Sequence, residues 1–370
     1  MTDQDQKILQ LLQSEDEAMI HLGFQLCKGL EYGEEVGEEL RRKPLKCAEF
    51  GVELWYLEQV TKIELSYDDE DAIIPKDIYL IKNLEELRVN HLNLQTFPSQ
   101  ILPLKKLKRL ELGRNEIPGI PEDFGKLTNL EELVLDFNAI SKLSGAIGQL
   151  VNLRSLKITS NKMTTLPDEF AYLTHLKSLD LSSNDFSVFP AVLGQLPNLE
   201  FLSFNWNLCE QLPSEIAGLN HLLVLYLYYN KLSSLPAEIG QLKHLEECYL
   251  SNNQLKDLPA EMGQMSQLKK LMLNNNQLNQ LPDELADLQN LTSLDLSNNK
   301  FTEFPEVIST LTNLEELNLW GNQITSMTSS LSNLSKLKIL NLGESKIPRS
   351  NRKQIRDALS VHCQITWDLI

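Results

Sequence analysis

The chain has 370 residues, with 34 Lys and Arg against 51 Asp and Glu, a formal charge of −17. That acidic excess argues against sequence-independent binding to nucleic acid or anionic membranes, which needs Lys and Arg to neutralise phosphates. A hydrophobic share of 42% fits a folded chain rather than a disordered one, and no uncharged apolar run reaches the roughly 18 residues of a membrane span.

The N-terminus, MTDQDQKILQLLQSEDEAM, is polar and acidic. It lacks a basic stretch followed by an apolar one, so it does not read as a secretory leader. Ile8, Leu11 and Leu12, then Met19, Ile20, Leu22 and Leu26, recur at helical spacing. Ser14 to Glu17 matches a capping box opening a second helix. Residues 1–59 therefore read as an N-terminal helical cap, a lid on the apolar residues that begin at Val60; a separate interaction module is the alternative.

From Leu84, Leu87 and Val89 onward, an apolar triplet recurs every 23 residues, at Leu107, Leu130, Leu153, Leu176, Leu199, Leu222, Leu245, Leu268, Leu291, Leu314 and Leu337. A looser first unit holds Val60, Ile63 and Leu65 and is one residue longer. Each unit reads L-x-x-L-x-L-x-x-N-x-L-x-x-L-P. In L-x-L the leucines alternate with outward residues, the period of a strand. One strand per unit stacks into a parallel sheet, and neighbours cover leucines that no unit buries alone. Asn fills its slot from Asn115 to Asn322 in ten units, and Pro fills nine, among them Pro121, Pro213 and Pro236. Proline fixes φ and lacks a donor, so it suits the segment outside the sheet. Ser144 and Thr328 depart from that slot, and looser turns are expected there.

Over about 60–348, this pattern resembles the leucine-rich-repeat family in its 23-residue "LP" variety, in the style of Ras-group-related plant and bacterial intracellular proteins. The resemblance implies an α/β solenoid: an arc with a concave parallel sheet, convex short helical or irregular turns, and an Asn ladder bonded to backbone groups of adjacent turns. Residues 349–370 read as a C-terminal cap of helix plus strand. Ser350 or Asn351 caps the helix. A step of 23 from Leu340 and Leu342 lands on Cys363 and Ile365, an in-phase closing strand that brings the count to about fourteen.

Catalytic signatures are missing: the chain has no Walker, dinucleotide, nucleophile-elbow or HExxH motif. His175, His221 and His244 share one repeat slot and read as solvated convex residues. Cys209, Cys248 and Cys363 read as inert core. The five cysteines show no C-x-x-C spacing, which fits reduced thiols in the cytoplasm. Asp68 to Asp71 reads as a solvated loop. Asn290-Leu-Thr292 and Asn333-Leu-Ser335 match the glycosylation sequon within repeat consensus letters. No cofactor or metal is implied, and the chain reads as a monomer and not an enzyme.

Function should then lie in the variable strand positions facing the concave side. Most are small or charged, as in Ser178 and Asp180. Three adjacent repeats differ, with Phe201, Asn205 and Trp206, then Tyr226, Tyr228 and Tyr229, then Glu247 and Tyr249; Met272 comes next, and Trp320 stands farther on. We expect Phe201, Tyr226 and Tyr249 in one row, with Trp206, Tyr228 and Tyr229 along its edge. Tyr and Trp dominate interface hot spots. Asp136, Asp180, Glu247, Asp295 and Glu316 flank them, so a protein or peptide partner with a basic rim is complementary. The alternatives are an aromatic ladder that only stiffens the sheet, or a glycan or small-ligand sensor using the same rings. Arg88, Arg109 and Arg114 form a smaller basic group, largely neutralised by Glu86 and Glu111.

Overall fold

The computed structural model describes residues 2–65, 73–359 and 361–367; the Asp68–Asp71 run lies outside them. The chain divides into two compact units, Met1–Arg154 and Ser155–Ile370, each taken by itself.

The first unit opens with helices α1 (Asp3–Leu12), α2 (Glu17–Cys27), α3 (Glu34–Arg41), α4 (Pro44–Phe50) and α5 (Leu54–Leu57). At α1, the Thr2 hydroxyl accepts the Asp5 N–H at 3.1 Å while the Asp5 carboxylate accepts the Thr2 N–H at 2.7 Å, a reciprocal capping box. Asp5 also accepts the Gly33 N–H at 3.1 Å, tying α1 to the start of α3. The Thr2 and then the Gly33 backbone donors hold its carboxyl below the ordinary range. The cap of α2 is Asp16, which accepts the Ala18 N–H at 2.9 Å; Ser14, the expected cap, accepts the Asp16 N–H instead. Phe24, Val36, Leu40, Cys47 and Leu57 are buried between the helices, and α4 packs on the first repeat turn, Lys76–Leu80.

Strands β1 (Lys62–Leu65), β2 (Glu86–Val89), β3 (Arg109–Glu111) and β4 (Glu132–Val134) come next. They pair in parallel, Ile63 opposite Leu87, then Leu110, then Leu133. The first step is thus 24 residues, and the next two are 23.

The second unit holds β5 (Ser155–Lys157), β6 (Ser178–Asp180), β7 (Phe201–Ser203), β8 (Val224–Tyr226), β9 (Glu247–Tyr249), β10 (Lys270–Met272), β11 (Ser293–Asp295), β12 (Glu316–Asn318) and β13 (Ile339–Asn341). Leu156, Leu179, Leu202, Leu225, Cys248, Leu271, Leu294, Leu317 and Leu340 stand opposite one another, none more than 2% exposed. This in-register apolar line is the hydrophobic seam that one repeat lays against the next. Helix α6 (Arg349–Ala358) and β14 (Gln364–Thr366) close the unit, giving fourteen strands among the described residues.

The closing strand departs from the expected phase. Leu340 pairs with Ile365, a step of 25 rather than 23. A ten-residue helix replaces the five-residue turn of the preceding repeats, and the longer path displaces the register by two. Cys363 consequently falls outside the core slot and is partly exposed. Pro348 occupies the N-cap of α6, and no side chain caps it; Ser350 and Asn351 lie inside its first turn.

Between strands the chain makes short 3-10 turns after the repeat prolines, three residues long after Pro98 and five long from Pro121 to Pro305, such as Ser214–Gly218 after Pro213. The turn after Ser144 is no looser. It keeps five residues, and the Ser144 hydroxyl accepts the Ala146 N–H at 3.0 Å. The turn after Thr328 also keeps its length.

Two side-chain ladders join repeats. Asn207 donates to the carbonyls of Leu181 and Phe204, both at 3.1 Å, and accepts the Phe186 N–H at 3.2 Å; Asn184 and Asn230 repeat the arrangement. These bonds satisfy backbone groups buried where each strand turns away. A second ladder runs on the turn side. Asn198 donates to the Thr174 carbonyl at 2.8 Å and Asn290 to that of Ser266 at 2.8 Å. In the same slot His221 Nδ1 meets the Pro197 carbonyl at 2.7 Å, and His244 Nδ1 that of Asn220 at 2.8 Å. These histidines are exposed, as expected, but each also ties its repeat to the one before.

Candidate functional site

Strand alternation places Phe201 and Ser203, Val224 and Tyr226, Glu247 and Tyr249, and Lys270 and Met272 on the open face, opposite the buried leucines. Pairing sorts them into two lines. Phe201 stands opposite Val224, then Glu247 and Lys270, while Ser203 stands opposite Tyr226, then Tyr249 and Met272. The expectation of Phe201 in one row with Tyr226 and Tyr249 is therefore corrected, because a 23-residue step from Phe201 lands on Val224. Phe201 joins diagonally instead, its ring 5.4 Å from that of Tyr226 and edge-on at 85°.

From Tyr226 the contacts continue. Tyr249 lies at 4.6 Å and Tyr228 at 5.9 Å, both edge-on; Tyr228 meets Tyr229 at 6.0 Å; Tyr229 stacks on Trp206 at 3.8 Å and 13°. Six of the expected residues thus form one connected ring cluster across three repeats, in the edge-to-face and stacked arrangements that aromatic quadrupoles favour. Trp206 is 52% exposed and Tyr229 42%; Phe201, Tyr226, Tyr228 and Tyr249 are half-buried.

The remaining expected residues behave differently. Asn205 is buried, and its side-chain oxygen accepts the Ser203 hydroxyl, so it supports the surface from within. Met272 is half-buried and extends the Tyr249 line. Trp320 stands apart. It occupies the repeat position of Tyr228 but four strands away, roughly 19 Å at a strand spacing of about 4.8 Å. Its indole lies against Gly343, where any Cβ would collide with it.

Glu247 is not a free acidic flank. It pairs with Lys270 at 2.9 Å and accepts the Tyr249 hydroxyl at 2.7 Å. Burial pushes its carboxyl up, but the Tyr249 hydroxyl and Lys270 outweigh this and leave it below the ordinary range. Burial, then the same carboxylate, drives the Tyr249 hydroxyl up, so it remains a donor. Asp180 and Asp295 each use one oxygen to hold the backbone N–H and hydroxyl of the serine two residues on.

The backbone beside the ladder has a conformation not expected from the sequence. The residue before each ladder position, from His91 to Glu344 at 23-residue steps, is left-handed with φ between 52° and 68°. Asn252, Asn275, Asn298 and Gly321 are residue types that tolerate this conformation. Trp206 and Tyr229 are not, and holding a bulky side chain there costs on the order of 1 kcal/mol each. The recurrence of Asn, Asn, Asn and Gly in four consecutive repeats was the available signal.

On the open face of the first unit, Lys62, Arg88 and Arg109 interlock with Glu64, Glu86, Glu111 and Glu132. Arg88 meets Glu86 at 2.6 Å and Glu111 at 3.3 Å; Arg109 meets Glu111 at 2.6 Å and Glu132 at 2.5 Å. Of the expected basic group, Arg88 and Arg109 are thus paired with Glu86 and Glu111, while Arg114 is not among these pairs. Arg114 lies over the Phe137 ring at 4.7 Å.

Elsewhere, burial pushes the Cys209 thiol up to about 11 and that of Cys248 up to about 12, the opposite of an activated nucleophile. Among the described residues no group of three or more His, Cys, Asp or Glu is placed to hold a metal, and no helix is long and apolar enough to cross a membrane.

Comparison with known proteins agrees with this architecture. A family model described as "Leucine-rich repeat region" matches residues 248–366, and one described as "Leucine rich repeat" matches 82–140, 128–186 and 151–208. No curated protein matches the chain. Among solved structures, the chain is similar to a leucine-rich-repeat protein of Leptospira interrogans at 29% identity, over 96% of this chain and 99% of that one, with a TM-score of 0.63. It is similar to the internalin InlF of Listeria monocytogenes at 25% identity, over 90% of this chain and 96% of that one, with a TM-score of 0.60. The plant peptide hormone receptor RGFR1, solved in complex with RGF2, is 30% identical over 78% of this chain and 52% of that one, with a TM-score of 0.61; the chain spans about half that receptor's length. The matched repeats, the stacked parallel strands and the asparagine ladder lead to one conclusion: the chain belongs to the leucine-rich-repeat family.

Proposed function

We propose that the chain is a non-catalytic scaffold that binds a protein or peptide on the open sheet face, through Phe201, Trp206, Tyr226, Tyr228, Tyr229 and Tyr249. One observation carries this reading: six rings connect across three adjacent repeats, and the two most exposed occupy a backbone conformation that disfavours them. An anchor patch accounts for the exposed rings, because exposed Trp and Tyr supply large contact area at the centre of interfaces. Similar structures solved in complex with peptide hormones support a protein or peptide partner over a small molecule. We further propose a monomer of the Ras-group-related kind working in the cytoplasm, a reading that the five free cysteines support.

The test is a Tyr226→Ala/Tyr228→Ala variant in affinity measurements against the native partner. Losing a central anchor lowers affinity by at least about thirtyfold, with the fold retained because neither side chain contributes to the leucine seam. Undiminished binding by the variant would overturn the reading and leave the cluster a stiffening ladder.

A further inference from the structure

We propose that the exposed face of Trp206 receives an arginine side chain of the partner, stacked on the indole above Ser183 and paired with Asp180. This rests on the reading of the open face as the binding surface and names the chemistry of its anchor.

The protein itself displays the arrangement once. Arg114 and Phe137 occupy the left-handed column in adjacent repeats of the first unit, and the guanidinium carbon lies 4.7 Å from the ring centroid, inside the roughly 6 Å range of cation–π attraction. Trp206 occupies the same repeat position in the second unit. On one side Tyr229 covers it, stacked at 3.8 Å. On the other, the preceding column residues are Ser183 and Ser160, too short to cover an indole, and Trp206 remains 52% exposed. The place that Arg114 fills over Phe137 is here left to a partner.

Charge selects the occupant. With Glu247 paired to Lys270, the strand lines of β5 to β12 still present three carboxylates, Asp180, Asp295 and Glu316, against one ammonium group, Lys157, which stands opposite Asp180. Asp180 belongs to the same repeat as Ser183. One of its oxygens takes both Ser182 donors at 3.0 and 2.6 Å, and the other accepts no hydrogen bond among the described residues. A planar guanidinium can lie parallel to an indole while its edge reaches a carboxylate; a lysine ammonium offers neither the plane nor the fork. The repeat imposes the left-handed conformation at this column whatever the residue, Arg114, Phe137 and the two serines included, and Asn252, Asn275 and Asn298 show the side chain that suits it best.

The experiment uses the full chain labelled with 5-fluorotryptophan, whose four tryptophans give four fluorine resonances; Trp206→Phe assigns the relevant one. Blocked Gly-Arg-Gly is titrated against blocked Gly-citrulline-Gly, which keeps the shape and removes the charge. The Trp206 resonance should shift saturably with the arginine peptide and at least about tenfold more weakly with citrulline. Asp180→Asn should weaken the response similarly, and Trp55, Trp320 and Trp367 should stay still. A silent Trp206 resonance, an equal response to citrulline, or a parallel shift of all four resonances would overturn the inference. In a separate measurement, Trp206→Asn should melt within about 2 °C of wild type, because the lost stacking is offset by relief of the left-handed strain; a larger drop would make the pair structural and also overturn it. Failure here with partner loss in Tyr226→Ala/Tyr228→Ala removes this inference alone. A double tyrosine variant that still binds removes the broader reading.

Discussion

Replacing Asn230 with alanine tests whether the asparagine ladder holds the repeats together. The side chain donates to the Phe204 carbonyl at 2.9 Å and the Leu227 carbonyl at 3.1 Å, and accepts the Cys209 N–H at 3.1 Å. The three losses are unequal. The Phe204 carbonyl keeps a donor from Asn207 at 3.1 Å, and the Leu227 carbonyl keeps one from Asn253 at 3.0 Å. Together these two cost about 1 kcal/mol. The Cys209 N–H is left buried with no acceptor, which adds about 1–3 kcal/mol. Asn230→Ala should therefore destabilise by about 2–4 kcal/mol, read as a lowered midpoint in urea unfolding followed by circular dichroism. Ser345→Ala is the control. Ser345 occupies the last ladder slot, and its hydroxyl finds no partner among the described residues, so its removal should cost less than about 0.5 kcal/mol. If Asn230→Ala costs no more than Ser345→Ala, the ladder is not what joins the repeats and the reasoning fails.

Substitutions at two further positions probe the turn side. A Cβ on Gly218 would collide with the Gly194 carbonyl oxygen, a backbone atom that cannot rotate away; Gly218→Ala should lower the melting temperature, and an unchanged melt would show that adjacent turns separate freely. His221→Ala should cost about 0.5–1.5 kcal/mol, whereas His221→Asn should match wild type because Asn198 and Asn290 make the same reach; equal losses for both would disprove the shared role.

The repeat was legible because one period controls everything the core does. Leu202, Leu225 and Cys248 face each other since each lies 23 residues from the next, and burial tolerates no slip. The same arithmetic, applied to the outward residues, separates Phe201 from the Tyr226 line; aromatic content alone, without the step from repeat to repeat, blurs the two. Other features lay beyond the pattern. The 25-residue step to Ile365 depends on how far α6 carries the chain, which periodicity does not report. The burial of Asn205 depends on the Ser203 hydroxyl beside it. The pairing of Glu247 depends on Lys270 reaching across from the next strand. A left-handed Trp206 is visible only once the backbone is, although the asparagines of the later repeats announce the conformation.

Both ladders point the same way along the chain. Asn207 serves Leu181 and Phe186, Asn230 serves Phe204 and Cys209, and His244 serves Asn220; in each case a later repeat finishes an earlier one. Completion is therefore directional: in any partial array, the repeat at the C-terminal edge carries one turn whose ladder bonds are unmade. Cutting at the two sides of a repeat is correspondingly unequal. Removing the repeat before it leaves a spare amide that water can satisfy, whereas removing the repeat after it takes away the acceptor of a backbone N–H and uncovers the apolar residues beside it.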